Sequence, residues 1–200
     1  MRRLFALLAL AVLALGVSSC VPLLHEAITE DMAVLEPGLV GTWSSDDDGT
    51  LMKRLAADAT PNDDFWVIEK SGDKGYTAAL HDTADPEKHA PEIFNMRFTR
   101  LPSGAYLDLT PATSGSLNCS DFRDFFLVRA HCVFKVSLST DSMTVLPLNP
   151  DWLRERFKAG SVRLPHEDTD AGFVITASSK QLRRFLERHG NDPDTFGLVK

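Results

Sequence analysis

The sequence predicts a mainly β domain, an antiparallel meander forming a barrel or a strongly bent sheet, with a C-terminal helix packed on it. Three observations carry this. From Leu39 onward the hydrophobic period is mostly two. Turn residues divide that stretch at hairpin spacing. Towards the C-terminus the period changes to that of an amphipathic helix.

Each element has its own signal. Gly41-Thr42-Trp43 opens the first strand. Phe65–Lys70 and Tyr76–His81 flank Ser71-Gly72-Asp73-Lys74-Gly75, which reads as a hairpin. Phe94, Met96 and Phe98 alternate with Asn95, Arg97 and Thr99. Pro102-Ser103-Gly104 then turns the chain into Tyr106–Leu109. The longest alternation is Phe126, Val128, Ala130, Cys132, Phe134, Val136 and Leu138, with Arg129, His131, Lys135 and Ser137 opposite. A strand of that length suits a barrel or a bent sheet. Asp141-Ser142 leads into Met143–Leu148, and Val162–Leu164 and Gly172–Thr176 add short strands. Asn149 before Pro150 starts a helix that turns Trp152, Leu153 and Phe157 to the sheet. Ser178 with Gln181 forms a capping box for a second helix. Leu182, Phe185 and Leu186 give that helix its apolar stripe, and Gly190 ends it. Arg183, Arg184 and Arg188 take its wet face.

The first 20 residues read differently. Arg2 and Arg3 precede an unbroken apolar run of 12 residues, Leu4 to Leu15. Small residues then lead to Cys20. This is a secretory signal pattern, too short for a comfortable membrane span of about 20 residues. Val17-Ser18-Ser19-Cys20 resembles the lipobox of bacterial lipoproteins. That resemblance implies cleavage before Cys20, thioether lipidation of its sulfur and acylation of the new N-terminus. Val21, in place of Asp, implies sorting to the outer membrane if the source is Gram-negative. The domain reading is a signal peptide over 1–19, a lipidated N-terminus and tether over 20–38 with a short helix in Leu24–Leu35, and one β-rich domain over 39–200.

The chain has 200 residues and a net charge of −7. Loss of Arg2 and Arg3 with the signal lowers the basic count from 21 to 19 against 28 acidic residues, a net −9. Such a surplus argues against nucleic acid as a partner. It also leaves the lipid, not charge, to hold the body at the membrane. Composition is ordinary for one globular core: 44% hydrophobic and 24% charged.

Cys119 and Cys132 remain as disulfide candidates in an exported protein. If the strand starts at Phe125, Cys132 lies about 23 Å along it. Residues 119–125 can return at most about 21 Å. A bridge is therefore at the limit of reach, and Cys132 on the apolar face also suits a free buried thiol.

Gly41-Thr42-Trp43 near the start of an exported β domain resembles the lipocalin signature. Glycine there lets a side chain cross the strand end, and tryptophan can plug a barrel. The resemblance implies an eight-stranded barrel holding one small apolar ligand, with a C-terminal helix. The family's Thr-Asp-Tyr-type turn has no counterpart in this sequence. Pro37, Leu39, Gly41 and Trp43 also match the opening of many uncharacterised bacterial lipoproteins, which carry no known activity. Trp43, Phe94, Phe98, Phe126 and Phe134 are the candidate ligand-lining residues, and they serve equally as a solid core.

Catalytic signals are absent from the sequence. It has no Gly-x-Ser-x-Gly, no His-Glu-x-x-His and no phosphate-binding loop. His81-Asp82, Asp85 and His89 lie close together but read as a solvated loop. Asp46-Asp47-Asp48-Gly49 and His166-Glu167-Asp168-Thr169-Asp170 lack calcium-loop spacing. No catalytic residue, metal or cofactor is assigned. The expected function is a lipid-anchored envelope module that binds or interacts without catalysis. One alternative is a lipocalin-like carrier of a small apolar ligand. Another is an envelope hydrolase, with His131 or the His81–His89 segment at its centre.

Overall fold

The computed structural model describes residues 20–46, 49–56, 59, 64–83, 90–112, 128–170 and 172–198. Eight strands close an antiparallel barrel: β1 (Gly41–Ser45), β2 (Leu51–Arg54), β3 (Phe65–Ser71), β4 (Gly75–His81), β5 (Glu92–Leu101), β6 (Gly104–Pro111), β7 (Cys132–Leu138) and β8 (Ser142–Pro147). The fold is mainly β with a C-terminal helix, as the alternation and turn signals predict. β3 to β8 form a meander of neighbours, and the β1–β2 hairpin closes the ring. Within that hairpin the order is exchanged: β1 pairs with β3, and β2 pairs with β8. The strand Leu51–Arg54 carries too short an alternation to be read from sequence.

Register fixes which side chains point inward. Trp43 lies across from both Arg54 and Trp66, Phe98 from Leu107, and Leu107 from Phe134. Because side chains alternate, these pairings place one set inside around the ring. Trp43, Met52, Ile68, Met96, Phe98, Leu107, Val136 and Met143 are buried there. The end holding Gly41 and Arg54 is plugged. A 3-10 turn over Pro37–Leu39 drives Leu39 into the core, and Trp43 Nε1 donates to its carbonyl at 2.9 Å. Arg54 is the side chain that crosses Gly41. Its guanidinium sits 4.3 Å from the Trp43 ring centroid and donates to the Gly38 and Val40 carbonyls. A Cβ at Gly41, where φ is +144°, would lie 2.3 Å from that guanidinium.

A second core lies outside the barrel. α1 (Pro150–Lys158), the hairpin of β9 (His166–Thr169) and β10 (Gly172–Ile175), and α2 (Ser179–His189) cover the outer faces of β6, β7 and β8. Asn149 accepts from the Asp151 and Trp152 N–H groups, and Gln181 Oε1 accepts from Ser178 N–H, so both helices start where their caps predict. Tyr106 and Val133 belong to this outer core with Trp152, Phe185 and Ile175.

Three expectations change. The segment 21–38 is not a free tether. Val21, Leu23, Ala27, Ile28 and Ala33 are buried in the outer core, and Leu23 is 0% exposed. The segment contains no α-helix; it is an irregular strap with a turn over Glu30–Met32, and its polar groups bond to the barrel. Leu23 pairs antiparallel with His131 and parallel with Ile175, stapling β7 to the β9–β10 hairpin. The long strand predicted over Phe126–Leu138 begins at Cys132. Its ladder to β6 ends at Leu109, opposite Cys132, and β8 ends at Pro147, opposite Phe134. Phe126 lies outside the described residues. Finally, Val162–Leu164 is an extended connection without a partner strand, and the hairpin begins at His166.

Candidate functional site

The inward face at the other end of the barrel is only part-buried. Trp66, Phe94, Leu109 and Phe134 stand there above the packed middle. The Trp66 and Phe94 rings are 5.6 Å apart and tilted by 44°. Parity along β3, β5, β6 and β7 turns these four to the same inward face at that end. Phe94 and Phe134 from the predicted lining set belong to this group. Trp43 and Phe98 do not, being fully buried in the packed half. Trp66 and Leu109 carry no sequence signal beyond alternation; the β3–β4–β5 and β5–β6 pairings set them beside Phe94.

Cys20 lies at this same end. Leu23 exchanges both backbone hydrogen bonds with His131, at 2.9 and 2.8 Å, on the lip where β7 begins. Three residues can reach about 10 Å, so Cys20 must sit at that lip. It is exposed, and its thiol meets that of Cys132. The Cys132 contact holds the Cys20 pKa below that of an ordinary thiol. The same contact pushes Cys132 up, reinforced by its burial and by the negative charges of Cys20 and Asp108. Cys132 carries no disulfide, and Cys119 lies outside the described residues.

Under the strap is a polar cluster. Asp108, 4% exposed on the outer face of β6, accepts from the Ala27 and Ile28 N–H groups at 2.5 and 3.0 Å. Its other oxygen meets His131 Nδ1 at 2.8 Å. Arg97 pairs with Glu26 and donates to the Ile28 carbonyl. These groups, with Asn95 and Thr110, line a cavity of about 210 Å³. A carboxylate-held imidazole resembles half of a catalytic triad. Among the described residues no hydroxyl or thiol hydrogen-bonds His131. Both Asp108 oxygens are committed, which makes the cluster a latch on the strap.

The remaining sequence candidates disperse. His81 stacks on Phe65 with ring centroids 4.6 Å apart. Asp85 and His89 lie outside the described residues. Asp46 accepts from the Thr50 and Leu51 N–H groups within its own turn, and Asp47 and Asp48 are outside the description. His166 stacks on Phe157 at 3.9 Å. No group of three metal-ligating side chains occurs among the described residues.

Fold and site together define an eight-stranded antiparallel barrel, plugged at the Gly41–Arg54 end and lined by part-buried apolar side chains towards the other. Compared with known proteins, the chain matches no family, and no curated protein or solved structure shows detectable similarity to it.

Proposed function

We propose that this protein is a lipid-anchored module of the cell envelope that works by non-covalent binding, Cys20 carrying the lipid. The part-buried apolar side chains on the inward face at the Phe94 end carry the binding reading. Trp66, Phe94, Leu109 and Phe134 present half-buried apolar surface on a rigid wall, the usual make-up of a small-molecule site. The filled half, with Trp43 and Phe98 packed, limits the ligand to a short apolar group. The alternative role, as an envelope interaction protein with a working outer surface, draws support from that same filled half. In this reading the anchor needs no long tether, because the strap joins the body one residue after Cys20.

Two experiments test the reading. Cells fed radiolabelled palmitate should label the chain, and Cys20→Ala should abolish the label; retained label overturns the anchor. Mass spectrometry of protein extracted gently from membranes should find a bound small apolar molecule. Phe94→Asp should release it, whereas a ligand-free protein that ignores fluorescent fatty acids favours the interaction role.

A further inference from the structure

A basic cleft lies at the outer core, and none of its lining residues belongs to the barrel strands or the strap. It has a volume of about 450 Å³ between α2 and the chain that leaves α1. Gly160, with φ at +65°, ends α1 and turns the chain so that Arg163 lies across from α2. On α2, Gln181, Arg184, Phe185 and Arg188 fall at i, i+3, i+4 and i+7, one stripe along the helix. Three arginines from two elements therefore line one cleft.

Their electrostatics are unusual for this chain. The protein carries net −7, yet none of the residues lining the cleft is acidic. Arg97, Arg100, Arg154, Arg156 and Arg183 all have carboxylate partners. Among the described residues, Arg163, Arg184 and Arg188 have none. His189 also lines the cleft. Burial, together with the neighbouring Arg188 charge, holds its pKa below the usual imidazole range. The floor is apolar: Val162, Leu164 and Phe185 are buried. Three unneutralised guanidiniums facing a common space repel one another, and a bound anion relieves that repulsion.

We infer that this cleft binds a phosphoryl group, held by Arg163, Arg184 and Arg188, with the carbon portion of its carrier on the apolar floor. The number of guanidiniums selects the anion. A carboxylate offers two oxygens and one charge, enough for one bidentate fork. A phosphomonoester offers three oxygens and up to two charges, enough for forks from several arginines. The source is either free phosphate or a lipid headgroup. The inference stands independently of the lipid anchor and of the barrel's part-buried apolar side chains.

The test is calorimetric titration of the full chain in neutral detergent with three probes: inorganic phosphate, dihexanoyl phosphatidic acid and dihexanoyl phosphatidylcholine. Phosphate or the phosphatidic acid should bind saturably, and whichever binds tighter identifies the source. Arg184→Ala with Arg188→Ala should weaken binding at least tenfold, and so should Arg163→Ala on the other wall. Arg183→Ala, which removes a side chain already paired with Glu187 outside the cleft, should leave binding unchanged. The arginines are exposed, so these variants should keep the wild-type urea midpoint. Absence of binding by both phosphate and phosphatidic acid overturns the inference. So does equal binding of phosphatidylcholine, or an Arg183→Ala loss as large as that of the double variant.

Discussion

Asp108 shows how one side chain can look catalytic and be structural. It accepts from two strap N–H groups and from His131 while almost wholly buried. Replacing it with alanine leaves buried donors unsatisfied. The expected loss is about 3 kcal/mol in urea unfolding, with faster amide exchange at Ala27 and Ile28. A loss below about 0.5 kcal/mol would mean that the strap is held by its apolar contacts alone. Trp43 is the corresponding residue inside the barrel, filling the plugged end under Arg54. Its truncation to alanine should cost about 3–5 kcal/mol. At this scale the sequence was informative about Trp43, because Gly41-Thr42-Trp43 marks a crossing. Asp108 was silent, because a single carboxylate in a strand gives no sign of what lies over it. Its role needed the strap, 80 residues earlier in the chain, to come into place.

At the scale of elements, α2 shows a cap whose meaning changed. Gly190 was expected as an ordinary helix stop, a role that usually exploits left-handed backbone. Its φ is −64°, open to any residue. What requires glycine is the barrel: a Cβ there would lie 1.8 Å from the Tyr106 hydroxyl oxygen and 2.6 Å from the Leu186 carbonyl. Lys135 Nζ donates to the Gly190 carbonyl from the same wall. Gly190→Ala should therefore destabilise by about 3 kcal/mol through overpacking, although alanine is the better helix former. A neutral or stabilising result in thermal unfolding would show that the contact yields cheaply. Helix starts were legible because a cap is a local exchange of hydrogen bonds. Strand ends were less so. The alternation over Phe126–Leu138 continues past Cys132, but the β6–β7 ladder stops at Leu109, opposite Cys132.

For the molecule as a whole, the strap is part of the fold. A chain beginning at Pro37 loses the buried surface of Leu23, Ala27 and Ile28 and exposes the outer face they cover. It should bind the dye ANS and unfold at lower urea; an unchanged midpoint would make the strap dispensable. Acid should weaken the whole fold in two stages. His189 has a lowered pKa in the folded state, so the unfolded chain takes its proton first. Stability then falls as pH drops below about 6.5, the ordinary imidazole value. Glu36 is held low chiefly by its hydrogen bond from Arg100. Its contribution is present above the ordinary carboxyl range and is lost as pH falls through its lowered value. His189→Gln should flatten the first stage and leave the second, measured as urea midpoint against pH.

The sequence by itself determined the alternation that makes strands and the caps that start both helices. These are written in neighbouring residues, because pleating and capping are read over a few positions. Tertiary structure decided the rest. It put Trp43 and Phe98 in packed core and left Trp66 and Leu109 on the inward face with Phe94 and Phe134. It exchanged β1 and β2 in the ring, turned an expected tether into a buried strap, and gathered Arg163 with Arg184 and Arg188. Each of these depends on which distant face a side chain meets, and one-dimensional periodicity fixes the face without naming its partner.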